Sequence, residues 1–299
     1  MQQKQFIHKT KQGDIFCEAL ADGTLCVFCD ANDYDLVLPA DINGKKISQA
    51  FGFELLPDDT CAVGVLICNE KVVFPAQIAG KKVTQIYSFC GQEMPQNISK
   101  VKTVKIPQSV VEIGEQGLFN FNNITQLTLP QNLEKVGFFA IANCFKLKSI
   151  VVPQKVTSLD VGAFSHCKSL EKISLPESLQ TIGNNAFSCC DSIEQITIPK
   201  NVRYIGDYAF DGCDNLAEFF VDEQNRWFKT IDGNLYTKDK KTLVRYAPAK
   251  KQDVFIMPVC VQKVAEGAFD NTTNLQKIVL TQNIDTTPFE HKQIIKEIK

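Results

Sequence analysis

The chain of 299 residues has no long apolar run, no glycine-rich phosphate loop, few histidines and no excess of charge of either sign. A membrane-spanning helix needs about 18 consecutive apolar residues, and no stretch approaches that. The N-terminus, MQQKQFIHKTKQGDIF, lacks the apolar core of about 7–15 residues that marks an export signal. The sequence as it stands therefore reads as cytoplasmic, or as secreted or surface-borne if such a signal has been trimmed away. Lys and Arg number 32 against 34 Asp and Glu, for a net charge of −2. That balance argues against a nucleic-acid binder, which needs a concentrated basic surface. The three histidines, His8, His166 and His291, fall in no Ser/His/Asp or Cys/His spacing. The glycine turns NGKK, AGKK and DGN lack the spacing of a phosphate loop, and the carboxylates do not pair. No catalytic residue, cofactor or metal is expected, and the chain reads as non-enzymatic.

What the sequence has instead is a period. Pro107, Pro130, Pro153, Pro176 and Pro199 each lie 23 residues after the last. Other columns keep the same step. Ile113, Val136, Leu159, Ile182 and Ile205 form one; Gly117, Ala140, Ala163, Ala186 and Ala209 form another, with Leu118, Ile141, Phe164, Phe187 and Phe210 beside it. Such self-similarity is the signature of a solenoid. Pro39 and Pro75 extend the ruler backwards at a spacing of 36, and Asp222, Pro258 and Thr281 extend it forwards. The count is about ten coils over residues 35–281, three intervals being lengthened by loops.

Each coil has a physical reading. In LEKISLP (170–176) Leu170, Ile173 and Leu175 point inward and Ser174 points out, the alternation of a strand. Proline then removes an amide donor and ends it. SLQTIG makes a second short extended piece, Gly183 permits a corner, and NNAF is expected to form a short helical turn. One coil cannot bury its apolar side alone, but stacked coils can, through a parallel ladder.

Twelve cysteines, about 4% of the chain, are too few for a disulfide-built domain. Cys144, Cys167, Cys190 and Cys213 form a 23-residue column of their own, continued backwards by Phe121. A slot that accepts Phe or Cys is apolar, and buried cysteine behaves as a small hydrophobe. Cys189 lies one residue off that column, at the surface of its turn. CVFC (26–29), with Cys17 nearby, is the one candidate for a zinc or redox site. Strand alternation sends Cys26 and Cys29 to opposite faces, which speaks against it.

The unit IPxxVxxIGxxAFxxCxxLxxIxIP, as in IPKNVRYIGDYAFDGCDNLAEFFV (198–221), resembles the BspA-like leucine-rich repeat, also called the Treponema pallidum type. The resemblance covers roughly residues 35–281. It implies a leucine-rich-repeat solenoid of stacked, β-rich 23-residue coils and a β-hairpin insertion near 223–253. LPADINGKKI and FPAQIAGKKV look like coils of the family with an enlarged turn. Asp160 replaces the corner glycine in one coil, and the column Ser109, Asn132, Lys155, Ser178, Asn201 is not the Asn ladder of ordinary leucine-rich repeats. The family also suggests an alternative role, a secreted or cell-surface adhesin that binds host matrix proteins.

The ends should be capped. Residues 1–34 read as an irregular or hairpin N-terminal cap with ADGT as a turn. Residues 282–299 read as a C-terminal cap, in which TPFEHKQIIKEIK (287–299) has capping-box spacing and is expected to form a short helix. The leading functional reading is a scaffold for another protein, as a monomer or weak oligomer. The outward column Thr128, Val151, Ser174, Thr197, Phe220 and Val279 is neutral and lightly apolar, which suits a protein contact. Trp227 and Phe228 open the hairpin and could anchor a partner or pack the hairpin on the solenoid. The pairs Lys45–Lys46, Lys81–Lys82 and Lys250–Lys251 read as solvated edges.

Overall fold

The computed structural model describes residues 5–9, 14–19, 25–30, 41–88, 97–280, 284–285, 287 and 295–298. The chain winds into a β-solenoid of about ten turns with almost no helix. Each regular coil contributes two short strands to two faces of the solenoid.

The first face is a parallel ladder of the Ile-Gly strands. Glu112–Ile113, Lys135–Val136, Ser158–Leu159, Thr181–Ile182 and Tyr204–Ile205 pair in sequence, with Ile113, Val136, Leu159 and Ile182 each beside the residue 23 positions on. Upstream the ladder continues through Lys81–Ile86 to Cys61–Ile67, also in parallel. On the second face the strands before each proline pair in short runs. Lys71–Val73 pairs with Thr103–Lys105, Ser149–Val151 with Lys172–Ser174, and Gln195–Ile198 with Glu218–Val221. Inward residues of both faces meet in one continuous core from Cys26 to Ala247. Phe164, Phe187 and Phe210 stack through it with ring centroids 5.7 Å apart. Surface ion pairs such as Lys135–Glu112 (2.8 Å) and Lys200–Glu177 (2.6 Å) join successive coils, and solvent screening leaves them little weight in stability.

The turn expected to be helical is built differently. Amides of Ala186, Ser188 and Cys190 donate within the coil, to Gly183, Asn185 and Phe187. Those of Asn185, Phe187 and Cys189 donate to the next coil, at Asp207, Ala209 and Asp211. Alternation between own coil and neighbour needs two left-handed residues per turn, and two columns supply them. One is Gln116, Phe139, Gly162, Asn185, Tyr208; the other is Asn120, Asn143, His166, Cys189, Gly212. A helix would satisfy the amides internally and leave the coils unlinked. The corner glycine also has a different reason from conformational freedom. Gly183 has no positive φ, but an added Cβ would lie 2.8 Å from the Asp160 backbone, so the requirement is close approach between coils.

The enlarged turns NGKK and AGKK are tight hairpins. Asn43–Gly44 and Ala79–Gly80 all have positive φ, and antiparallel pairs flank them, the geometry of a type I′ turn. Toward the N-terminus, Gln5–Lys9, Asp14–Ala19 and Leu25–Asp30 pair antiparallel, and Leu25–Asp30 runs parallel to Lys45–Leu55. The ADGT turn lies outside the described residues.

The expected C-terminal helix is absent over residues 295–298. Ile295–Ile298 is a strand, parallel to Lys277–Leu280; residues 288–294 lie outside the described residues. The last coil would otherwise leave a row of backbone donors and acceptors open, and an isoleucine-rich segment in strand form satisfies them.

Candidate binding surface

The strands before each proline hold one side chain out per coil. Ile150 and Val152 are buried, while Val151 between them is 68% exposed. Thr128, Ser174 and Thr197 are exposed at the equivalent positions, and Phe220 is 41% exposed. The ladders set Val151 beside Ser174 and Thr197 beside Phe220. Val279 departs from the expected column, being 5% exposed. It lies in the strand flanked by both Val254–Ile256 and Ile295–Ile298. Ile256, 60% exposed and paired with Val279, belongs to the outward column instead. The insertion breaks the 23-residue step there, so the periodicity alone passes over it. The 36-residue interval already seen between Pro39 and Pro75 carries the column from Phe220 to Ile256.

The insertion is a hairpin whose strands Phe228–Ile231, Asn234–Thr237 and Thr242–Arg245 form a sheet, the last running parallel to Lys263–Val264. Asn225, fully buried, fixes its entry. The Asn225 side-chain amide donates to Pro199 O (2.8 Å) and Val202 O (3.0 Å), and its Oδ1 accepts from the amides of Trp227 and Phe228. As a result Trp227 is left 41% exposed, whereas Phe228 is buried in the core. Phe228 thus packs the hairpin onto the solenoid and is no surface anchor. Arg245 is buried too, and its guanidinium donates to Phe210 O, Gly267 O and Asp270 O. Its Phe210 bond stands in for a cysteine. In the regular coils, thiols donate to Ile141 O, Phe164 O and Phe187 O, and Phe210 is next in that column. Burial lowers the Arg245 pKa, though nearby acidic groups oppose this. Arg245 carries no local signal in the sequence, because its partners are carbonyls of other coils; Asn225 makes a local turn with the amides of Trp227 and Phe228, but the carbonyls that bury it belong to another coil.

The BspA-type leucine-rich repeat region matches residues 85–230 and 249–298, in six copies. The chain belongs to the BspA-type leucine-rich repeat family. No curated protein matches its sequence. Solved structures share the fold. A leucine-rich cell surface protein from Faecalibacterium prausnitzii is 22% identical, with a TM-score of 0.56 over 82% of this chain and 71% of that one. The pneumococcal vaccine antigen PcpA is 18% identical, with a TM-score of 0.62 over 83% and 68%. A leucine-rich repeat protein from Bacteroides ovatus is 21% identical, with a TM-score of 0.56 over 89% and 76%. At these identities the likeness is one of fold alone.

Within the BspA-type coils the cysteines have a defined place. Cys144, Cys167, Cys190 and Cys213 are fully buried free thiols. Each donates to a carbonyl 26 residues earlier, at 3.5, 3.2, 3.2 and 3.1 Å in turn. The column is therefore a hydrogen-bonded ladder as well as apolar filling. Burial pushes the Cys213 thiol up to about 12 and Cys190 well above the usual thiol range, so the nucleophilic thiolate is suppressed. Cys189 sits on the left-handed column at φ 56°, half-buried, beside Gly212. Among Cys17, Cys26 and Cys29, Cys26 faces the main core with Phe28 while Cys17 packs with Val27 on the other side of the sheet. The Cys17 and Cys26 sulfurs therefore lie on opposite sides of the sheet and do not converge. Among the described residues no group of three or more His, Cys, Asp or Glu side chains is placed to hold a metal ion, and no helix is long and apolar enough to cross a membrane.

Proposed function

We propose that the chain is a non-enzymatic scaffold that binds another protein through the outward column of its second face and the exposed edge of its hairpin. One observation carries the reading. Val151, Phe220 and Ile256 are held out to solvent at 68, 41 and 60% exposure by strands whose neighbours are buried. Apolar side chains repeated on one face of a rigid scaffold favour a protein partner over a polyanion. Thr128, Ser174 and Thr197 supply hydroxyls between them, and Trp227 supplies an aromatic anchor. The double variant Phe220→Ser/Trp227→Ala, used as bait beside the parent chain, tests this. Both positions are partly exposed, so the variant should keep the parent's unfolding midpoint and lose partners that the parent retains. Identical retention by both proteins would contradict the surface assigned.

The solved neighbour from Faecalibacterium prausnitzii is a cell surface protein, and a BspA-type chain displayed outside the cell would serve as an adhesin with the same face. A signal encoded upstream of this sequence would favour that location; its absence from the gene would favour an internal partner.

A further inference from the structure

The second face is interrupted between the strand Thr103–Lys105 and residues 125–128. Among the described residues that strand pairs only with Lys71–Val73. A groove of about 450 Å³ opens in the gap, lined by Lys102, Val104, Lys105, Thr125, Gln126 and Thr128 among others. The hydrogen bonds of the strand show which groups face it. Thr103 donates to Glu70 O at 3.2 Å, and Lys105 O accepts from Phe74 at 3.0 Å. In a parallel ladder alternate residues serve one side, so Val104, between those two, turns its N–H and C=O toward the groove. Where the face is intact, Val152 donates to Ser174 O at 3.0 Å. Among the described residues no such bond joins Ile106 to Thr128, the equivalent pair.

The groove also has a charge. Lys102 and Lys105 stand on its rim, and no carboxylate is among its lining residues. Lys102 pairs with Glu70 at 2.9 Å on the outer side, both side chains largely exposed; Lys105 is in no ion pair among the described residues. A phosphate backbone offers acceptors only, whereas Val104 presents a donor and an acceptor from one residue. An extended peptide offers the complementary pair along its main chain.

We propose that this groove binds an extended peptide segment of a partner protein, with main-chain hydrogen bonds to Val104 and an acidic side chain or terminal carboxylate on Lys105. The proposal rests on the scaffold reading above and gives it a site and a partner chemistry. Thr128, already in the outward column, becomes part of the wall.

A phage-displayed random heptapeptide library panned on the full chain supplies the probes. Selected peptides are measured by fluorescence polarisation against the parent, Lys105→Glu, Thr128→Lys and Phe220→Ser/Trp227→Ala. Amide hydrogen exchange of Val104 is followed with and without peptide. The expected result is selection of Asp- or Glu-containing peptides whose Kd rises about tenfold or more on Lys105→Glu. The Val104 amide should be unprotected in the free chain and slowed at least about tenfold by the peptide. Peptides insensitive to Lys105→Glu but lost in the Phe220/Trp227 variant would overturn the groove and leave the scaffold reading standing. Selection of no binding peptide, or a Val104 amide already protected in the free chain, would overturn the groove as well. A parent chain that, in addition, retains no protein partner as bait would sink the scaffold reading with it.

Discussion

Cys189 and Cys190 are adjacent in the chain and should respond to substitution with opposite signs. Cys190 is fully buried, and its sulfur donates to Phe164 O at 3.2 Å. In Cys190→Ser the shorter C–O bond draws the hydroxyl back from that carbonyl and leaves it in an apolar slot. Burying a poorly bonded hydroxyl costs about 1–3 kcal/mol. Cys190→Ala removes the donor and leaves a small void, for a loss of about 1–2 kcal/mol. Cys189 is half-buried at φ 56°. A non-glycine residue is strained there by about 1–2 kcal/mol, and glycine recovers part of this against its larger unfolded-state entropy. Cys189→Gly should therefore stabilise by about 0.5–1 kcal/mol. Urea unfolding followed by circular dichroism reads all three, with midpoints compared because a stacked array can unfold in segments. An unchanged midpoint for Cys190→Ser, or a lowered one for Cys189→Gly, would refute the assignment of one thiol to the core and the other to the left-handed turn.

Three further outcomes follow from the same packing. Gly212→Ala should destabilise by about 1–3 kcal/mol, because φ is +67° and the new Cβ would lie 2.9 Å from Cys189 Sγ; the cost should shrink in a Cys189→Gly background, as thermal melts would show. Arg245→Met should cost about 3 kcal/mol or more and speed amide exchange in the coils on either side, since it strips donors from Phe210 O, Gly267 O and Asp270 O. Burial raises Cys68 to about 11 and Cys213 to about 12, from about 9. A group whose folded pKa is raised contributes stability that is complete below its unfolded pKa and lost as pH rises through the folded value. Stability should therefore be flat up to about pH 8 and fall between pH 9 and about 12, and a Cys213→Ala variant should show a shallower fall.

The sequence makes the stacking legible because every regular coil buries the same positions, so Ile113 to Ile205 and Cys144 to Cys213 appear as columns. The resemblance added the family and the hairpin. The missed features are those whose reason lies in another coil. The turn at Asn185–Cys190 has the local look of a helix, yet half of its amides bond to the coil above. A signal was nevertheless present, since Asn120, Asn143, His166 and Gly212 are residue types that tolerate the left-handed region. For the binding surface, the column from Thr128 to Phe220 was visible as alternation. Ile256 was hidden by the insertion, and Val279 by the strand Ile295–Ile298 that pairs beside it. Asn225 and Arg245 were invisible as structural residues because composition places such side chains at the surface.

The 23-residue columns share one interior, in which the thiols are filling and hydrogen-bond donors. Thiol labelling with Ellman's reagent at pH 8, native and unfolded, with the native adducts mapped by mass spectrometry, reads that burial out cysteine by cysteine. All twelve cysteines should react after unfolding, and none of Cys144, Cys167, Cys190 and Cys213 should react in the native chain. Native labelling of any of those four, or fewer than twelve thiols after unfolding without reductant, would contradict it.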